Sequence, residues 1–277
     1  SELFSQPKQT PSPNISPIFG KNLYITPNAP VNRPVEITSQ PSSLWLGSWI
    51  NDVTKTAHVQ VSDAVRQNQL TTLVAYNIPQ RDCGGYSSGG AASSAAYRTW
   101  VQQLASGIGQ REAIVILEPD ALAQIDCLST EQQSSRYSDL RYAVKVLSEQ
   151  TKAYIYIDAG HGAWISAKTM AARLDKADIS KTQGFSLNVA NFETTLLNTN
   201  YGNQLSALVN NKHYVIDTSR NGRGPGNTWC NPSGRGLGIR PSTNTSGYID
   251  AYLWIKRPGE SDGLCNGGPG AGQWWQD

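Results

Sequence analysis

The 277-residue chain predicts an α/β fold: a distorted, incomplete TIM-like barrel of about seven parallel strands. Three observations carry that expectation. Short β-branched runs recur along the chain, helix-like stretches separate most of them, and the runs are apolar almost continuously. Continuous rather than alternating apolarity is what a parallel sheet needs when helices cover one face and a packed interior the other. With 38% hydrophobic residues the chain can bury one large core, and barrels of this length form single domains.

In chain order, residues 1–20, SELFSQPKQTPSPNISPIFG, are rich in Ser, Pro and Gln and lack apolar periodicity. They read as a linker remnant or surface arm, which leaves 21–277 as a single domain. Strand-like runs follow at LWLGSW (44–49), TTLVAYNI (71–78), AIVILEP (113–119) and AYIYIDA (153–159). The remaining three are GFSLNVA (184–190), HYVIDTS (213–219) and AYLWIK (251–256). Helix-like stretches occupy 52–68, 95–108, 130–150, 166–177 and 193–209. The third has Leu140, Val144 and Leu147 at helical spacing behind a Ser129/Thr130 cap candidate. Seven strands are too many for a small open fold and one short of a full barrel. The Gly-, Pro- and Asn-rich stretch from Asn221 to Gly247 breaks the rhythm; such a segment inside a domain is usually functional or tied down, here by Cys230.

Composition narrows the partners. Twenty-three basic against 21 acidic residues leave a net charge of +2, which supplies no field for nucleic acid or an anionic membrane. No apolar run reaches 18 residues, so no membrane span is expected. The start reads as a mature form from which a signal peptide has been removed. Cys83, Cys127, Cys230 and Cys265 form no CxxC and have only three histidines for company, so zinc is disfavoured. An even, scattered set suits two disulfides in a secreted, extracellular protein. Three pairings are possible; Cys83–Cys127 with Cys230–Cys265 is favoured, because each ties a loop to its neighbour in chain order. Eight Trp and twelve Tyr against four Phe favour rings with a polar handle, suited to stacking on sugars. Only 16% of residues are charged, which fits a neutral polyhydroxyl ligand.

In barrels of parallel strands, chemistry sits on loops leaving the C-terminal strand ends. There the sequence places Tyr76 and Asp82, then Asp120, then Asp158, then Asn188 and Asn191, then Asp217 and Arg220, and finally Lys256, Glu260 and Asp262. Asp82, Asp120 and Asp158 lie 38 and 38 residues apart, one βα repeat each, so their strands bring three carboxylates to one rim. In VILEPDAL, a turn built on Pro119 would by itself explain Glu118 and Asp120. Three acids on one rim change that reading. Like charges resist joint ionisation, so one acid stays protonated near neutrality while another stays ionised. Such a pair beside Trp and Tyr is the equipment of glycosidic hydrolysis. Mg²⁺ or Ca²⁺ is the alternative use of the cluster, but no phosphate cradle accompanies it. GRGPG (222–226) lacks the Lys-Ser/Thr of a P-loop, and no GxSxG elbow occurs. No metal or cofactor is expected.

The blocks YNIPQRDC, VILEPDAL, YIDAGHGAW, GFSLNVANF, WCNPSGRGLGIRP and LWIKRPGESDG together resemble glycoside hydrolase family 6, the inverting β-1,4-glucanases. They stand in the family's order and cover residues 44 to 275. The resemblance implies that Asp120 is the general acid and that Asp82 holds up its pKa and supports positive charge on the sugar. Tyr76 would lie under the distorted sugar, and Asp158 would orient its neighbours. Asp262 matches the residue proposed as base, with a water chain toward Asp82 as the competing route. Trp45, Trp164 and Trp229 fall on stacking platforms, and Lys256, Glu260, Asn188 and His161 on sugar contacts. For each Trp the alternative is core packing, weaker for Trp229 than for Trp45, and for His161 it is a buried, hydrogen-bonded histidine. The loops after QRDC and GESDG are short for the family's tunnel-forming branch, which implies an open cleft and an endoglucanase acting as a monomer on β-1,4-glucan. A cellobiohydrolase of the same family is the rival, and a non-catalytic glucan-binding protein the outsider.

Overall fold

A computed structural model describes residues 15–27 and 33–275. Seven parallel strands form one sheet in strict chain order: β1 (Leu44–Leu46), β2 (Thr72–Ala75), β3 (Ile114–Leu117), β4 (Tyr154–Asp158), β5 (Gly184–Leu187), β6 (His213–Asp217) and β7 (Ile249–Leu253). A short helix α1 (Val35–Thr38) precedes the sheet. The crossovers are α2 (Val53–Arg66), α3 (Ser94–Ile108), α4 (Thr130–Gln150), α5 (Ala167–Lys176) and α6 (Thr195–Leu208). Each of these five starts on a side-chain cap: Asp52, Ser93, Ser129, Ser166 and Thr194 each accept a backbone N–H from the first turn. Ser129 and Gln132 complete a reciprocal capping box, as the sequence expectation for that helix requires.

The strands are shorter than their apolar runs. β1 stops at Leu46, and position 47 must be glycine, because a Cβ there would sit 2.6 Å from the Tyr76 carbonyl. β7 begins two residues earlier than its apolar run, at Ile249.

Strand residues alternate between two cores. Leu73, Val115, Leu117, Ile155, Ile157, Phe185 and Ile216 pack outward against the helices. Val74, Ile114, Ile116, Tyr156, Val215, Ala251 and Leu253 pack inward and fill the barrel. The inner core also takes in Ile18, which is fully buried, together with Leu23 and Leu70. The chain is thus part of the fold before residue 20, where the arm was expected to end; residues 1–14 of that stretch lie outside the described residues.

The sheet curls but does not close. Between β1 and β7 no ladder forms; Ser43 N–H donates to the Trp254 carbonyl (3.1 Å) and the Trp45 indole to the Ile255 carbonyl (2.8 Å). The segment from Asn221 to Gly247 holds no helix or named strand, and it is tied down at several points. Cys230 is bonded to Cys265, and Cys83 to Cys127 in the loops after β2 and β3. Ile239 accepts from Thr218 Oγ1 and the Trp254 indole, Ser242 pairs with Tyr252, and Thr243 reaches back to the Lys21 carbonyl. No helix among the described residues is long and apolar enough to cross a membrane.

Candidate active site

The strand register sets where the acids emerge. Ala75, Leu117 and Ile157 are Cα partners across β2, β3 and β4, so the next residue in each chain, Tyr76, Glu118 and Asp158, leaves the sheet at one level. Beyond that level the backbone turns sharply. Asp82, Cys83, Glu118, Asp120, Asn188 and Ala190 all adopt positive φ, between 48° and 67°. Left-handed backbone costs a non-glycine residue about 1 kcal/mol or more and is held only where surrounding contacts enforce it. Here it is concentrated at the C-terminal ends of β2, β3 and β5.

Those turns separate the two acids flanking Pro119. Glu118 is buried and grips the N–H groups of Asn77 (2.9 Å) and Ile78 (3.0 Å). It splices β3 to the loop after β2, and burial raises its pKa to about 7. Asp120 turns the other way, to a groove of about 670 Å³. Beneath it, buried Asp158 accepts the Asp120 N–H (2.9 Å), the Gly160 N–H (3.2 Å) and the Ser186 hydroxyl (3.0 Å). Asp158 is pushed up to about 7, first by burial, with these donors opposing the rise. Asp120 is raised well above the carboxylate range by burial, then by the charges of Asp158 and Asp82. Only the Asp158 carboxylate has donors that favour its ionised form, so the proton the pair retains belongs on Asp120.

Asp82 lines the same groove, its carboxylate fixed by the Ser87 N–H (2.7 Å) and the Gln124 amide (3.2 Å). The Cys83–Cys127 disulfide locks its loop to the loop after β3, which carries Asp120. Tyr76 forms the floor, edge-on to Trp45 with centroids 5.3 Å apart.

The opposite bank is built differently. The Asp262 side chain is 7% exposed, pairs with Arg220 at 2.8 Å through one oxygen, and accepts the Asn231 N–H (3.0 Å) at the other. Glu260 pairs with Arg33 (3.3 Å) and Arg257 (3.6 Å). Lys256 is buried, donates to the Ser261 carbonyl (3.1 Å), and has its pKa lowered by burial and then by Arg220. The Cys230–Cys265 disulfide and the Asn231 amide, which donates to the Gly263 and Cys265 carbonyls, hold this bank together.

Of the residues singled out in the sequence, the groove gathers Trp45, Tyr76, Asp82, Asp120, Trp229, Lys256, Glu260 and Asp262. Trp229 is 60% exposed, which disposes of the core-packing alternative for that ring. Three of the expected sugar-binding residues lie outside that lining. Asn188 is fully buried and spends its amide on the Asp217 carbonyl (2.9 Å) and the Glu193 N–H (3.1 Å), so it shapes a turn; its neighbours Ala190 and Asn191 line the groove instead. His161 and Trp164 stand together on the loop after β4, ring centroids 5.5 Å apart, outside the groove lining. Burial lowers His161 to about 4, so its ring is neutral near pH 7.

Sequence reasoning passed over Trp49, Arg81 and Tyr86. Trp49 is half exposed on the groove wall. Arg81 lies over the rings of both Trp49 (5.1 Å) and Tyr76 (4.8 Å) and donates to the Ser87 carbonyl (2.7 Å), bracing the Asp82 loop. Tyr86 packs on Gly263 and on the Trp229 ring (6.0 Å), so the two short rim loops meet at one point. Arg81 and Tyr86 flank the Asp82 motif, and Trp49 sits in the first strand-like run; that adjacency was the available signal. An open trench with a carboxyl of raised pKa on one wall, further carboxylates nearby and indole surfaces beside them can protonate a glycosidic oxygen and stack sugar rings.

Comparison with known proteins agrees with this geometry. The chain is 46% identical over 248 residues to endoglucanase A of Cellulomonas fimi, covering 87% of this chain and 54% of that protein. It is 45% identical over 242 residues to endoglucanase 1 of Streptomyces halstedii, covering 85% and 75% respectively. The chain thus spans about half the length of the first relative and three quarters of the second. Among solved structures it resembles the endoglucanase Cel6 from Mycobacterium tuberculosis, in complex with a methyl-cellobiosyl-thio-cellobioside, with a TM-score of 0.90 and 45% identity over 94% of this chain and 95% of that one. The model of glycosyl hydrolases family 6 matches residues 27–277, nearly the whole length. With the fold, the acid-lined groove and these relatives in agreement, the chain belongs to glycosyl hydrolase family 6.

Proposed function

We propose that this chain is a secreted endo-β-1,4-glucanase that cleaves internal bonds of cellulose and related β-glucans by single displacement. The observation that carries the reading is Asp120, a groove carboxyl whose own oxygens have no donor among the described residues and which faces two other carboxylates. It keeps its proton where an ordinary aspartate loses it, and the leaving glycosidic oxygen receives that proton. Asp82 supports positive charge on the sugar, and Tyr76 crowds the ring preceding the cut, strain drawn from binding elsewhere along the chain. Water attacks the opposite face, which inverts the anomeric centre. Its proton goes toward Asp262 or, through water, toward Asp82. Each oxygen of both carboxylates already accepts a donor, but only Asp262 is paired to a cation, Arg220, which supports the Asp82 route.

Internal cutting is supported by the short rim loops and by the exposure of Trp49 and Trp229 along the trench. Two disulfides support an oxidising, extracellular setting. The test uses a soluble cellulose derivative. Viscosity collapses before reducing sugar accumulates, and Asp120→Ala removes nearly all turnover while cello-oligosaccharide binding stays measurable. Viscosity falling only in step with cellobiose release would favour a cellobiohydrolase. Undiminished turnover by Asp120→Ala would end the assignment.

A further inference from the structure

A second recess, of about 870 Å³, lies beyond the trench. The two share Glu260 and follow one ribbon of chain. In that ribbon Ser261 N–H donates to the Gln273 carbonyl (2.8 Å), Trp275 N–H donates to the Gly259 carbonyl (2.8 Å), and Glu260 pairs with Trp274. Gly272 and Gln273 line the trench at one end of the ribbon; Gly259 and Trp275 line the recess at the other. The loop before Cys230 is divided in the same way. Trp229 lines the trench, while Asn227 and Thr228 line the recess.

The recess lining describes its ligand. The charged groups there are already engaged: Arg220 by Asp262 and the Ala190 carbonyl, Arg235 by the Gly224 and Ser233 carbonyls, Glu260 by Arg33 and Arg257. What remains is an indole, apolar side chains such as Leu237 and Pro258, and neutral amides and hydroxyls. In addition, Ser219 Oγ and Arg220 Nε are buried without a hydrogen-bond partner among the described residues, and both residues line the recess. Buried polar atoms without partners are few in native proteins, and they mark places where something else completes the bonding. A ring face, neutral hydrogen-bonding groups and no free charge suit a neutral polyhydroxyl chain.

We propose that the recess is a second stretch of the glucan-binding site, which takes sugar rings of the same chain beyond Glu260 with Trp275 as their stacking surface. This rests on the endoglucanase reading and adds to it a preference for longer substrates. The test compares kcat/KM on cellotetraose and cellohexaose for the wild type, Trp275→Ala and Asn227→Ala. The wild type favours the hexaose. Trp275→Ala lowers the hexaose-to-tetraose ratio about tenfold, the size of one lost stacking contact. Asn227→Ala, a change on the exposed loop that does not threaten folding, lowers the ratio about threefold, as one lost hydrogen bond would. Ratios unmoved in both variants, or equal losses on both substrates, would overturn the extended site. A wild type that cleaves neither oligosaccharide would overturn the endoglucanase reading itself, a distinct result.

Discussion

The two banks of the trench hold carboxylates in opposite ways. On the β3–β4 bank, Asp120 and Asp158 sit one above the other, and the charges acting on Asp120 are those of Asp158 and Asp82, with no cation among them. On the β7 bank, Asp262 and Glu260 each hold arginine: Arg220 for the first, Arg33 and Arg257 for the second. The residue type is nearly the same and the burial similar, yet the chemistry differs. A carboxyl facing carboxylates keeps a proton and can give it away, whereas one facing guanidinium groups is tied into ion pairs. The difference teaches that company, added to burial, decides which acid in this groove donates.

Substitutions can break or sharpen that contrast. The largest effect belongs to Asp120→Asn, which leaves the shape and removes the proton donor; turnover of a soluble glucan drops by about 10²–10⁴-fold. Retention of most activity would mean that the donor sits elsewhere. Next comes Arg220→Leu, which leaves Asp262 buried without its cation and lowers unfolding stability by about 3–5 kcal/mol in urea titrations. Adding Asp262→Asn to that variant recovers part of the loss, because the uncompensated charge is gone; no recovery would show that Arg220 matters for packing alone.

Asp158→Asn sharpens the other bank. Activity of the wild type falls as pH rises through the raised pKa of Asp120, and without the charge beneath it that alkaline limb moves to lower pH. A limb that stays in place would assign the raised pKa to burial and Asp82. The smallest effect is on stability. Glu118 and Asp158 hold protons in the fold up to about pH 7, against ordinary values of 4.5 and 3.8. The unfolded chain binds fewer protons in that window, so stability is fullest below the unfolded values and declines as pH rises through 7. The melting temperature therefore falls from about pH 5 to pH 8, and Glu118→Gln shallows the fall. A melting temperature that rises over that range would contradict it.

Much of the first bank was readable in the sequence. Asp82, Asp120 and Asp158 recur at the βα repeat length, and a parallel sheet with neighbours in chain order converts that spacing into proximity. The second bank was less so. Arg220 and Asp262 come from loops 42 residues apart, and no periodicity says that one neutralises the other. Asn188 stands at a strand end like the acids, but its left-handed backbone turns the amide into the protein. Trp49, in the same run as Trp45, looked like strand, but β1 ends at Leu46 and the Trp49 ring packs over Gly47 on the groove wall.

By itself the sequence determined the strand order, the helices, and the rim at which polar residues gather, because these follow from short-range periodicity and from neighbouring βα units packing side by side. Only the tertiary structure decided which acid faces a cation, how the two loops meet at Tyr86, and where the barrel stays open between β1 and β7. Those are contacts between parts of the chain far apart in sequence. Their free energies depend on burial and on the charge of the group opposite, and neither exists until the chain is folded.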